Sequence, residues 1–531
     1  MNSPSVIRHL VQYWHTLRWL RPVQIIGRIW FKLYRPRPDL RSAPPLALPS
    51  AYWHPCRREQ SLIAPTAFRF LSVTRRIDTP ADWVRPDWPK LWRYNAHYFD
   101  DLVADGAKAR TNWHRMLIAR WIEENPPGQG DGWEPYPTSV RLVNWLKWLL
   151  SGHPPVPGML DSLAVQTRWL RQRLEYHLLG NHLWTNAKAL IFAGTCFCGK
   201  ESEQWLREGL HLMRRELTEQ VLADGGHFER SPMYHFVFIE DLLDLIQLAQ
   251  LTGRLKTDER MWRLVARRML DWARVMIHPD GELSFFNDAA FNIAPSLGAL
   301  QDYAKALGVE LPSPPREGVH LLKASGYARL QLGTALLLAD VAPVGPDYQP
   351  GHAHADTLSF ELSLRERRIL VNGGTSTYEN NAERWRQRGT AAHNTVVVDG
   401  QNSSEVWSAF RVARRAKVYD IRVGEEDGKL FLSAWHDGYL RLPGQVRHRR
   451  HWQLSAKRLV VEDMLEGTYR QAEAHFHFAP GAERCVRWEV EAGEARMEEA
   501  LWCPRFGETV PIKKLVVRIP ARRCVVSFFW D

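Results

Sequence analysis

Between residues 100 and 280 the apolar positions recur at three- and four-residue spacing, the period of an amphipathic helix. Segments 112–125, 139–152, 162–179, 203–222, 236–253 and 259–277 each carry this stripe, and short connections separate them. Consecutive helices with short links fold back on one another in pairs. Several such pairs predict a helical solenoid or a closed α/α toroid. Near residues 310–320, ELPSPPREGVH, the period changes. Beyond it come short β-branched and aromatic runs broken by turn residues, among them TALLLADV, TLSFELSL, RRILVNGG, NTVVVDGQN, KLFLSAW, RLVVEDML and CVVSFFW. No helix-length pattern separates these strands, so the sheet is expected to be antiparallel. The pattern divides the chain into a basic arm (1–60), a helical toroid (61–310), a linker (311–320) and a β-sandwich (321–531).

Composition narrows this picture only in part. Of 531 residues, 45% are hydrophobic and 24% charged, which excludes a largely disordered chain. The net charge of +11 favours a polyanionic partner. Nucleic acid is the weakest candidate because no recognition motif accompanies the charge. The 24 tryptophans suit sugar faces or a large core. No run is long enough for a membrane span. The first residues lack an uninterrupted apolar stretch and a cleavage site, so a secretory signal is not visible. That favours a cytoplasmic protein over a periplasmic or otherwise exported one. Up to Pro38 the chain carries seven lysines and arginines and no acid, which reads as a transit peptide, a basic amphipathic arm or an ordered segment. Six cysteines are too few for a disulfide scaffold and are expected to be reduced.

Four segments concentrate ionisable groups beyond what packing needs. In GNHLWTNAKAL, Asn181 and His182 stand at a helix start. In DGGHFERSPMYH, a tight turn precedes His227, Glu229, Arg230, Tyr234 and His235. In GHAHADTLSFEL, His352, His354 and Asp356 share one face of an extended chain, suiting a metal or acid–base site. In ERWRQRGTAAHNTVVVDG, Arg384, Arg386 and Arg388 precede His393 and suit a carboxylate or sulfate.

In this order the four motifs resemble the heparinase II/III-like polysaccharide lyases, a likeness running from Trp133 to about residue 480 and shared in architecture with alginate and oligoalginate lyases. The resemblance implies an incomplete (α/α) toroid followed by an antiparallel β-sandwich, with the active cleft between them. It also implies β-elimination on an acidic, uronate-containing polysaccharide or oligosaccharide. Asn181 and His182 would neutralise the uronate carboxylate, and Tyr234 and His352 would serve as acid and base, in an order left open. Arg141, Asn144, Trp184, His227, Glu229, Arg230, His235, Arg384 and Arg388 are expected to bind substrate or tune the tyrosine, and Trp133, Trp145 and Trp184 to stack on sugars. Relatives carry a structural zinc at positions matched by His354, Asn372 and His393. Asn372 stands where an aspartate is expected and is the poorer ligand, so a metal-free hydrogen-bonded cluster competes with zinc. Two further readings stay open: a toroid hydrolase using Glu229 and Asp288, and a noncatalytic glycan-binding protein in surface-polysaccharide assembly. Oligomeric state is left undetermined.

Overall fold

A computed structural model describes residues 3–531, with side chains from His9. An incomplete (α/α) toroid precedes a β-sandwich. The toroid runs through helices Lys90–Tyr98, Thr111–Glu124, Pro135–Leu150, Met159–Gln172, Gly180–Cys196, Lys200–Gln220, Pro232–Thr252, Lys256–Met276 and Leu297–Ala306. Their apolar faces contribute to one continuous core that absorbs half of the tryptophans, including Trp121, Trp133, Trp145, Trp148, Trp184 and Trp205. Gly194 shows how closely paired helices approach. A Cβ there would lie 2.4 Å from the Leu206 backbone nitrogen, so only glycine lets the Lys200–Gln220 helix dock.

Three differences from the sequence reading have physical causes. The helix expected to reach residue 179 ends at Gln172, and the residues after it turn to place the buried Glu175 against Asn186 and His182. A small three-stranded sheet, spanning Leu62–Ala64, Ala67–Phe70 and Val73–Arg76, precedes the helices. The basic arm forms helices Ser3–Leu17 and Pro22–Leu33, the first meeting Trp407 of the C-terminal half through Thr16 and the second packing Phe31 on His177 of the toroid.

The C-terminal half begins with strand Gly318–Leu322, inside the expected linker. This strand opens a five-stranded antiparallel sheet that ends at Arg367–Leu370. A six-stranded sheet orders Val418–Glu426, Lys429–His436, Arg447–Ser455, Arg458–Glu466, Arg523–Phe529 and Arg487–Ala492. Four strands, Glu494–Trp502, Val510–Arg518, Ala472–His477 and Val396–Val398, make a third sheet. Their inward residues, such as Leu337, Phe360, Trp452 and Phe476, share one core. The GHAHADTL segment is an irregular loop rather than a strand, and Phe360–Leu364 begins after it.

Candidate active site

A cleft of about 2040 Å³ opens between toroid and sandwich, and Asn181, His182, Tyr234 and His352 all line it. Local structure explains how each arrives there. The backbone at Leu179 and Gly180 is left-handed (φ 63° and 53°), turning the chain into the Gly180–Cys196 helix at its first residue. A side chain on Gly180 would collide with the Gln349 amide. Tyr234 sits in the first turn of Pro232–Thr252, where Ser231 caps the helix by accepting the Tyr234 N–H at 3.2 Å and Pro232 opens it. Arg230, also left-handed (φ 57°), offers its carbonyl to Asn287 Nδ2 at 2.9 Å and Tyr327 OH at 2.6 Å. These bonds fix the turn that delivers Glu229 and Tyr234.

His352 is held by Asp288, whose Oδ2 lies 2.9 Å from its Nδ1 and whose backbone N–H donates to the His352 carbonyl. The buried Asp288 carboxylate also meets His354 Nε2 at 2.9 Å, Thr375 Oγ1 at 3.1 Å and the forked Arg384 guanidinium. Burial opposes its ionisation, but Arg384 and the two imidazoles hold it well below the ordinary carboxylate range. On the other edge of the His352 ring, Nε2 stands 3.5 Å from Glu229 Oε2. Burial raises the Glu229 carboxyl, partly offset by His352 and His182.

The Tyr234 ring packs 4.0 Å from the His352 ring, and its hydroxyl shares a 3.0 Å hydrogen bond with Tyr378 OH. Burial, reinforced by Tyr378, pushes its phenol well above the usual tyrosine value, so it is protonated. His182 Nδ1 lies 3.1 Å from Glu175 Oε1. Burial disfavours its cation, yet Glu175 prevails and raises the imidazole above its ordinary value. Among the described residues, Asn181 Oδ1, Glu229 Oε2, Gln349 Oε1 and His227 Nδ1 are buried without a hydrogen-bond partner. Of these residues Asn181 and Gln349 line the cleft, where a polar ligand would complete the bonding of such atoms.

Several expected substrate contacts are instead structural. Arg141 is buried over the Trp121 ring at 3.7 Å and spends its donors on Gln166 and on the His97 and Gly132 carbonyls. Trp184 stacks on Phe238 at 3.8 Å and donates to Asp241, and Trp133 and Trp145 are likewise core. His227 meets Gln220, and His235 meets the Met269 carbonyl. Burial leaves both imidazoles neutral, that of His235 at about 3. Arg230 bonds the Ser325 and Phe228 carbonyls. Arg384 is consumed by Asp288. Arg388 bonds the Ala353, Ser408 and Arg411 carbonyls, and burial lowers it to about 9. None of these cations is free to ionise Tyr234. Asn144 lines the cleft, but its amide donates to the Tyr98 carbonyl and Asp100.

The expected metal ligands do not form a zinc set. His354 Nδ1 faces His393 Nε2 at 3.3 Å, while His354 Nε2 is taken by Asp288. Asn372 Oδ1 accepts the Asn394 N–H at 3.1 Å and its amide nitrogen points to Ser359, so the third donor is spent. Sequence reading missed Tyr378, Glu175 and Gln349, none of which stands in a concentrated motif. For Tyr378, the STY run after LVNGG was the available signal.

The chain matches the family description "Heparinase II/III N-terminus" over residues 156–307 and "Heparinase II/III-like, C-terminal" over 314–531, together more than two thirds of its length. It is 27% identical over 386 residues to a heparin-sulfate lyase of Bacteroides stercoris, covering 62% of this chain and 57% of that one. It is 29% identical over 322 residues to the FtsZ-localized protein C of Caulobacter vibrioides, covering 59% and 52%. The chain thus spans little more than half the length of these curated relatives. A solved heparinase III structure superposes with a TM-score of 0.63 at 18% identity, covering 83% of this chain and 76% of that one. Motif order, fold and both matched regions agree: the chain belongs to the heparinase II/III-like family.

Proposed function

We propose that the protein is a polysaccharide lyase that cleaves a 4-linked uronate by β-elimination, with His352 as base and Tyr234 as acid. The observation that carries this reading is the convergence of Asn181, His182, Tyr234 and His352 on one cleft. The C5 proton is barely acidic because its loss places negative charge beside a carboxylate. Asn181 and the His182 cation supply the donors that neutralise that charge as it develops. With Nδ1 bound to Asp288, His352 takes the C5 proton on Nε2. The electron pair forms the C4–C5 double bond, the C4–O4 bond breaks, and the departing oxygen takes the Tyr234 hydroxyl proton. Held above its usual value, the phenol is still protonated when O4 departs, and only an oxygen as basic as the leaving alkoxide takes its proton.

The hydrolase alternative needs two carboxylates facing one another across the sugar. Here the His352 ring contacts both Glu229 and Asp288, and Asp288 is buried against Arg384. The roles are tested with two uronides, one with a sugar leaving group and one with a nitrophenolate that departs unprotonated. Tyr234→Phe is expected to lower turnover of the first by about 10²–10⁴-fold and to spare much of the second. His352→Ala is expected to lose both. Equal losses for Tyr234→Phe on the two substrates would reverse or merge the assignments. Heparin and heparan sulfate, the glycans named for a curated relative and for a solved structure of the same fold, are the first polymers to test.

A further inference from the structure

The two N-terminal helices leave much of their apolar surface exposed. Gln12, Thr16 and Gln24 face the protein: Gln12 and Gln24 are buried, Thr16 Oγ1 meets Trp407 Nε1 at 3.1 Å, and Gln24 Nε2 donates to the Tyr348 carbonyl at 3.1 Å. Leu10, Trp14 and Leu17 form one exposed stripe on Ser3–Leu17. Ile26, Ile29, Trp30 and Leu33 form another on Pro22–Leu33. Trp14 is 66% exposed, Trp30 60% and Leu33 78%. Of 28 exposed large hydrophobic residues among the described ones, 11 fall between Leu10 and Leu33. Scattered exposed apolar residues are ordinary, whereas this concentration marks an interaction face.

The surrounding charge says what covers it. Through residue 38 the chain has seven lysines and arginines and no aspartate or glutamate. Arg18, Arg28, Lys32, Arg35 and Arg37 are exposed and, among the described residues, make no ion pair. Tryptophan and leucine on one side with unpaired cations alongside is the composition of helices that lie in the headgroup region of an anionic bilayer. No described helix is long and apolar enough to cross a membrane, so these helices would lie on the surface.

We propose that the N-terminal helices seat the protein on an anionic lipid surface. Tyr13, Leu17, Ile25, Arg28 and Ile29 of the same helices border the end of the cleft where these helices lie. Seating therefore brings that end to the bilayer, within reach of membrane-attached glycans. This proposal does not depend on the elimination chemistry.

The test is flotation of the full chain with phosphatidylcholine vesicles, with or without one third phosphatidylglycerol. Binding to the anionic vesicles is expected to exceed that to neutral ones by at least about tenfold and to weaken in high salt. The variant Trp14→Ser/Ile26→Ser/Trp30→Ser/Leu33→Ser is expected to lose at least about tenfold of that binding with its thermal midpoint unchanged. A second variant, Lys32→Gln/Arg35→Gln/Arg37→Gln, keeps the apolar stripes and is expected to lose the preference for phosphatidylglycerol. Failure of the wild type to float with anionic vesicles would overturn the proposal. So would a concentration-dependent dimer, abolished by the first variant, that leaves vesicle binding absent.

Discussion

At the residue scale, a side chain's role follows from what surrounds it rather than from its type. Arg384 and His182 both carry donors near the cleft, but Arg384 is enclosed with Asp288 while His182 lines the opening. Removing the cation in Arg384→Met leaves the buried Asp288 carboxylate without its guanidinium partner, which costs about 3–5 kcal/mol. Denaturant unfolding is expected to show that loss, whereas a substrate-binding arginine would raise KM at unchanged stability. The Asp288 carboxyl is depressed in the folded state, so its contribution is present above the unfolded value near 4 and disappears as pH falls through the folded value. His182 behaves in the opposite sense. Its raised value keeps the cation at and above the ordinary histidine range, and that cation is lost as pH rises through the folded value. KM for a uronate is therefore expected to climb on the alkaline side of about 6.5. In Glu175→Gln, which removes the carboxylate that holds the proton, this climb should begin at lower pH with kcat changed less. An unmoved KM profile would take His182 out of substrate binding.

At the element scale, the helices were legible because their apolar stripes repeat without interruption, and the strands because β-branched runs alternate between turns. Strand Arg447–Ser455 escaped notice although its inward positions alternate strictly. Two of those inward residues are His448 and Arg450, which reads as a polar strand. Arg450 pairs with Asp463 and donates to the Leu358 carbonyl, so the sandwich core supports the loop carrying His352 through a buried ion pair. Site motifs were legible in the same uneven way. Asn181, His182, Tyr234 and His352 converge as their clustering suggested, while Arg141 and Trp184, in neighbouring turns, point into the core. One turn of helix separates a lining residue from a packing residue, and sequence spacing alone does not register that rotation. Helix pairing supplies a further test. Gly→Ala in a helix interior ordinarily gains about 1 kcal/mol, but at Gly194 the added methyl meets the Leu206 backbone. Gly194→Ala is expected to lose about 1–3 kcal/mol of stability instead, read as a lower thermal midpoint.

At the scale of the whole molecule, the charge excess divides into separate parts. Arg384, Arg388, Arg141 and Arg450 are internal and hold carbonyls or carboxylates in place. Arg28 and Arg57 line the cleft without an ion pair among the described residues and suit an acidic glycan. The remaining cations of the N-terminal helices surround an outward apolar face. The cleft forms only where toroid and sandwich meet: Tyr234 belongs to the first, His352 and Tyr378 to the second, and Asp288 lies in the loop between toroid helices Lys256–Met276 and Leu297–Ala306. The central claim is that this junction performs elimination rather than hydrolysis or mere binding. Its most direct test is to incubate the protein with heparan sulfate and other uronate polymers, following ultraviolet absorbance and product mass together. Elimination is expected to give a rising absorbance from a carboxylate conjugated to a C4–C5 double bond, with product masses summing to the parent polymer without added water. Products that carry the mass of water and no chromophore, or the absence of any cleavage across the uronate polymers, would contradict it.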